Sequence, residues 1–347
     1  MSTQLTEHTI RGVPTVMLEN DALRVSVLVG KGTDIYEFVH KPSGTNCLWQ
    51  PKTGVRPSPY VADAPGDVAS FMDLYEGGWQ EIFPNGGDAC TYKGAHLGFH
   101  GEACKILWDW QIEGDTLSCE VRLMSMPFYL QKRLWLDGAT LHVWERVTNE
   151  GAEPLEFMWG HHPAFAAPFL SLDNNRLYVH ATTVETHGAD IGGKHQFLPL
   201  GVKCPFPLVP TQTSRPIDLR RLFRGDGRNA DLCYLGGLHD SWYAVVNEDT
   251  KLGFALRWDK ETFPYLWLWQ ECQGTRGYPW WGRYHVVGIE PHSSIPGSGL
   301  LKAIERGTAK SLDAGASIET ELIATAFVAT GAVQDVDANG AVRMRHP

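Results

Sequence analysis

Positive charge is scarce in this 347-residue chain: 30 Lys and Arg stand against 40 Asp and Glu, a formal net charge of −10. No basic cluster interrupts that balance, so neither nucleic acid nor an anionic membrane surface is an expected partner. No apolar run approaches the ~18 residues of a membrane-spanning helix. The opening "MSTQLTEHTIRG" lacks the apolar stretch of a signal peptide. The seven cysteines are scattered, at Cys47, Cys90, Cys104, Cys119, Cys204, Cys233 and Cys272, and form no C-x-x-C pair. An odd, dispersed set reads as reduced structural thiols of a cytoplasmic protein, not as a disulfide framework. There is no G-x-S-x-G nucleophile motif. The lone "GKGTDI" opens no helix, so it is not expected to cradle phosphate.

Helical periodicity is equally sparse. Only "SGLLKAIERG" reads as a short helix, with Leu300, Leu301 and Ile304 on one side and Gly307 ending it. Strand patterns dominate instead. "TLSCEVRLM" alternates Leu117, Cys119, Val121 and Leu123 with polar residues. "FYLQKRLWL" and "ATLHVWERVTNEG" flank Asp137-Gly138, a strong hairpin signal. "ALRVSVLVGKGTDIYEFVH", "SWYAVVNE", "LGFALRW", "PYLWLWQE", "YHVVGIE" and "SIETELIATAFVA" supply further strands. Without βαβ alternation a parallel α/β fold is excluded. The expected architecture is one large all-β antiparallel sandwich over residues 1–347. Pro/Gly-rich loops such as "PSPYVADAPGD" interrupt it, and the polar end from about Asp335 is expected to fray.

Aromatic residues are plentiful, with 13 tryptophans and 11 tyrosines. Most fill a β core, yet rings with polar handles also suit sugars. Five stretches could carry chemistry. "GFHGEA" presents His100 before a permissive glycine. His96, four residues earlier, has no obvious companions for a metal, and no metal or cofactor is expected. "FMWGHHPAF" sets His161 beside His162, and in a strand these neighbours face opposite ways. Pro163 biases His162 towards extended backbone, as Pro291 biases Glu290 in "GIEPHSS". A carboxylate ending an apolar strand is costly unless it has partners or protons to trade. Glu271, in "WLWQECQG", is a competing carboxylate. "GGLHDSWYAVV" places Asp240 before a strand, and "YEGGWQEIFPNGG" sets Trp79 and Gln80 between glycines, as a loop-borne sugar contact would be.

Taken in order, these stretches resemble the aldose 1-epimerase (mutarotase) family of the galactose mutarotase-like superfamily. The resemblance runs from "NDALRVSVLVGKGTDIYEF" through "GGWQEIFPNGG", His-Gly, His-Pro-x-Phe and "GIEP" to "LDAGASIETELI", roughly residues 15 to 328. It implies a β-supersandwich that interconverts the α and β anomers of a monosaccharide without a cofactor. Glu290 then matches the catalytic glutamate, as base, and His162 the catalytic histidine, as acid. His100 and Asp240 match sugar-binding residues. Asn85 has no adjacent arginine, unlike galactose-type members, which bears on which sugar is bound. Arg276 and Arg283, just upstream of Glu290, are candidates for reading an anionic substituent. A glycoside hydrolase or lyase on the same fold, or a non-catalytic sugar-binding protein, stays open.

Overall fold

The structure, a computed structural model of the chain, describes residues 3–57, 67–191, 193–211, 215–223 and 228–345. The sequence alternation translates directly into burial. In the strand Thr116–Arg122, Leu117, Cys119 and Val121 are inside while Glu120 and Arg122 are exposed. That strand pairs antiparallel with Phe128–Asp137, which turns back into Thr140–Asn149. The turn residue Gly138 adopts φ +57°, where a Cβ is penalised. These strands belong to a nine-stranded sheet, and a twelve-stranded sheet packs against it. Phe254 of the first sheet meets Phe38 and Phe165 of the second, with ring centroids 5.1 and 4.9 Å apart. The main apolar core therefore lies between the sheets, as expected for an all-β sandwich of antiparallel strands.

Two α-helices occur among the described residues, Asp67–Asp73 and Leu300–Arg306. The second is the anticipated one, closed by Gly307 at φ +73°. The first is missing from the sequence reading, because no glycine closes it as Gly307 closes the second, and Phe71 is its one buried side chain.

The C-terminal expectation is corrected as far as Arg345. Ala332–Val336 and Val342–Arg345 form a hairpin whose Val336 joins an apolar cluster with Trp242 and Ala244. The Arg257 guanidinium donates to the Val336 carbonyl at 2.8 Å. Residues 346–347 lie outside the described residues, as does most of "PSPYVADAPGD".

The middle of the larger sheet carries five neighbouring strands: Trp79–Ile82, Gly160–Phe165, His285–His292, Tyr265–Cys272 and Asn229–Gly236. Each has one face on the core. On that inner face His161 Nε2 lies 2.9 Å from Glu145 Oε2 of the opposite sheet. Trp79 Nε1 donates to His161 Nδ1 at 3.1 Å. Lys132 Nζ sits 2.8 Å from Glu81 and 3.4 Å from Glu145, and Trp159 Nε1 donates to Glu81 at 2.9 Å. Burial alone would strip Lys132 of its charge, but the two carboxylates hold its pKa above the ordinary value. Trp79 is thus a structural residue that fixes His161, not a sugar contact.

Candidate active site

The outer face of the same strands carries His162, Glu290, Trp269 and Glu271. The register Gly160↔His292 and Ala164↔Gly288 sets His162 across from Glu290. Both lie within their strands, not at the ends. Pro163 and Pro291 still hold the preceding residues extended, and neither proline has an N–H to donate. His162 Nε2 stands 3.4 Å from Glu290 Oε1, with side chains only 7% and 2% exposed. Gly288 makes room for the carboxyl: a Cβ there would fall 2.3 Å from Glu290 Oε1.

Electrostatics follow from that burial. Removal from water pushes the Glu290 carboxyl well above its usual range. The same cause pulls the His162 imidazole down to about 4. Both directions favour uncharged forms, a carboxylic acid beside a neutral imidazole. Those directions favour a proton on Glu290 over one on His162. They run against an ionised glutamate base and a protonated histidine acid. The sequence carries no measure of the dryness that decides it.

The remaining walls come from distant segments. Tyr75 Oη lies 3.5 Å from His162 Nδ1. His100 is buried, and its Nδ1 accepts a hydrogen bond from the Gly87 N–H at 3.1 Å. The proton of the neutral ring then sits on Nε2, which is left as a donor. Trp269 packs 5.8 Å from His162 and 5.2 Å from Trp280, a tilted aromatic wall. Glu271 lines the cavity too, gripped by the Thr275 hydroxyl at 2.6 Å, and burial raises its pKa. The cavity measures about 210 Å³. That is room for on the order of a dozen water-sized groups, the scale of one hexose.

The sequence-derived set is therefore partly assembled. Glu290, His162 and His100 line one cavity, while Asp240, Trp79, Gln80 and Arg283 do not. Gln80 lies opposite His162 on the same face, but its amide turns back to the Gly77 carbonyl and Glu76. Asp240 is half exposed and lies 2.5 Å from His180 Nδ1, at the turn entering a strand of the nine-stranded sheet. It serves turn chemistry on the other side of the sandwich. Arg283 lines a neighbouring cavity, and Arg276 is exposed. Sequence reasoning missed Tyr75, His187, Trp269 and Trp280, all of which line the cavity. Trp269 was legible as the residue two before the candidate Glu271 on an alternating strand. The others come from segments whose approach no local pattern encodes.

Glu290, Glu271, His162, His100 and His187 thus line one cavity over the outer face of the larger sheet, walled by Trp269 and Trp280. Comparison with solved structures narrows the class. A protein described as a proposed aldose 1-epimerase from Escherichia coli K12 superposes with a TM-score of 0.63 at 17% identity, covering 94% of this chain and 100% of its own. A galactose mutarotase related enzyme from Lactobacillus acidophilus gives 0.61 at 18%, covering 90% and 97%. A galactose mutarotase-like protein from Lactobacillus casei gives 0.63 at 16%, covering 90% and 100%. The chain therefore has the galactose mutarotase-like fold. No family model matches the sequence, and no curated protein matches it.

Proposed function

We propose that the protein is an aldose 1-epimerase, interconverting the α and β anomers of a monosaccharide. The observation that carries this is the Glu290–His162 pair, 3.4 Å apart on one buried face where burial favours the uncharged form of each group. Mutarotation asks only for proton traffic. Glu290 gives its proton to the ring oxygen while His162 takes the proton of the C1 hydroxyl. The C1–O5 bond opens to the aldehyde, leaving a carboxylate and an imidazolium. Rotation about C1–C2 presents the other carbonyl face. The C5 hydroxyl then attacks C1, its proton returns to Glu290, and the imidazolium protonates O1. Each group thus ends in its starting state. Each positioned acid or base contributes typically ~10²–10⁴-fold. His100 Nε2–H donates to a sugar oxygen. Trp269 and Trp280 offer ring faces to the C–H bonds of the pyranose. The free thiols fit a reducing cytoplasm. No helix among the described residues is long and apolar enough to cross a membrane.

A second reading, glycoside hydrolysis, is favoured by one fact: Glu271 and Glu290 line the same cavity. One experiment separates the two. Freshly dissolved single-anomer aldoses, and in parallel a disaccharide, are followed by proton NMR. Accelerated anomer exchange without cleavage supports the epimerase. Cleavage of the glycosidic bond supports the hydrolase. Neither outcome leaves a sugar-binding protein without turnover.

A further inference from the structure

A second cavity of about 200 Å³ adjoins the first. The two share Met72, Tyr75, Pro279 and Trp280 as common wall. The two cavities are therefore immediate neighbours on either side of these four residues. The segment between the strands Tyr265–Cys272 and His285–His292 builds both. It sends Thr275, Pro279 and Trp280 to the first cavity and Tyr278, Trp281 and Arg283 to the second. Trp281 is unusual on two counts. It is 58% exposed, beside a 52% exposed Tyr278. Its backbone sits at φ +54°, unfavourable for a bulky side chain. Hydrogen bonds from Trp281 N to Gly277 O at 2.8 Å and from Gly282 N to Thr275 O at 2.7 Å hold that conformation.

We propose that this second cavity is a subsite for the next sugar of a reducing disaccharide or oligosaccharide, whose reducing-end ring occupies the first. The inference rests on the anomer-exchange reading above and names its substrate class. Glu290 and His162 must meet C1 and O5, so the reducing end is inside and the linked unit extends along the shared wall. Exposed indole and phenol faces with polar groups between them match the alternating C–H and hydroxyl surface of a pyranose. Arg283 rests over the Tyr284 ring at 5.1 Å, and its guanidinium could donate to sugar hydroxyls there. Phosphate is the weaker match, because Asp73 lines the same cavity and pairs with its other guanidinium, Arg56.

The test compares anomer-exchange kcat/KM for glucose, galactose, maltose, cellobiose, lactose and glucose 6-phosphate in the wild type and in Trp281→Ala. A stacked ring contributes about tenfold. At least one disaccharide should exceed its monosaccharide by that factor, and Trp281→Ala should erase the advantage while leaving the monosaccharide rate within twofold. Equal rates for mono- and disaccharides, a uniform loss in the variant, or a preference for the sugar phosphate alone overturns the subsite while leaving the epimerase intact. Calorimetric titration with the same sugars supplies a readout without turnover. Tighter disaccharide binding lost in Trp281→Ala, with no exchange of any sugar, upholds the subsite and removes the epimerase reading. No binding difference and no exchange removes both.

Discussion

Replacing Glu290 by glutamine tests the proton argument most directly. The amide keeps the size and polarity of the protonated carboxyl but cannot release a proton to the ring oxygen. His162 stays in place, 3.4 Å from the Oε1 position, and Gly288 still leaves room for the side-chain head. If proton transfer at this position supplies the usual ~10²–10⁴-fold, the loss in kcat is about 3–5 kcal/mol of barrier. Stability should move the other way. Burial raises the carboxyl's pKa in the folded state above its unfolded value near 4.5. The folded wild type therefore binds a proton that the unfolded chain gives up as pH rises. Its stability falls through that window, whereas a glutamine does not titrate. The midpoint of thermal unfolding of Glu290→Gln should equal or exceed that of the wild type, with the gap widening from acid towards neutral pH. The assay is polarimetric or NMR decay of freshly dissolved α-anomers over a panel of aldoses, beside calorimetric unfolding at several pH values. An exchange rate within threefold of wild type refutes the role given to Glu290. Lower stability at neutral pH refutes the neutral buried carboxyl.

Four further outcomes are expected. The acid limb of kcat/KM against pH should fall near pH 4, where His162 gains a proton. The alkaline limb marks the loss of the pair's proton, since these macroscopic values belong to both groups. An acid limb near 6.5, the ordinary imidazole value, would count against the dry pocket. Gly288→Ala puts a methyl 2.3 Å from the Glu290 carboxyl oxygen, so about a hundredfold loss in kcat with unchanged circular dichroism is expected, and undiminished kcat contradicts the packing argument. His161→Asn should lower the denaturation midpoint by breaking the bonds to Glu145 and Trp79, yet keep most of kcat, whereas His162→Asn should lose orders of magnitude in kcat and fold normally. The reverse pattern means the two histidines have been assigned the wrong way round. Lys132→Met strands Glu81 and Glu145 in the core and should cost about 3–5 kcal/mol in urea denaturation, and a loss under 1 kcal/mol would show the carboxylates shed their charge freely.

Much of the fold was readable along the chain because antiparallel strands write their burial in a period of two. The Asp137-Gly138 hairpin, the Leu117–Cys119–Val121 face and the helix closed by Gly307 all rest on interactions within a few residues of each other. The tail hairpin escaped because its polar residues mask the buried anchors Val333 and Val336, whose partner Trp242 is remote in the chain. The site divides along the same line. His162 and Glu290 could be singled out because a proline follows each and alternation separates them from their neighbours. Asp240 could not be dismissed, since a turn aspartate and a sugar-binding aspartate look alike until the sheet is assembled.

By itself, the sequence determined where the strands run along the chain, the Asp137-Gly138 hairpin and the opposite outlooks of His161 and His162, because each depends on local periodicity and backbone stiffness. Only the tertiary structure decided which outlook was the pocket. Burial belongs to the packed sheets: His161 faces Glu145 because the nine-stranded sheet covers that side. His162 faces Glu290 under walls brought in by Asp67–Asp73 and the segment after Cys272. The directions in which burial pushes the two groups arise there as well, because the cost of a charge depends on how completely those walls exclude water.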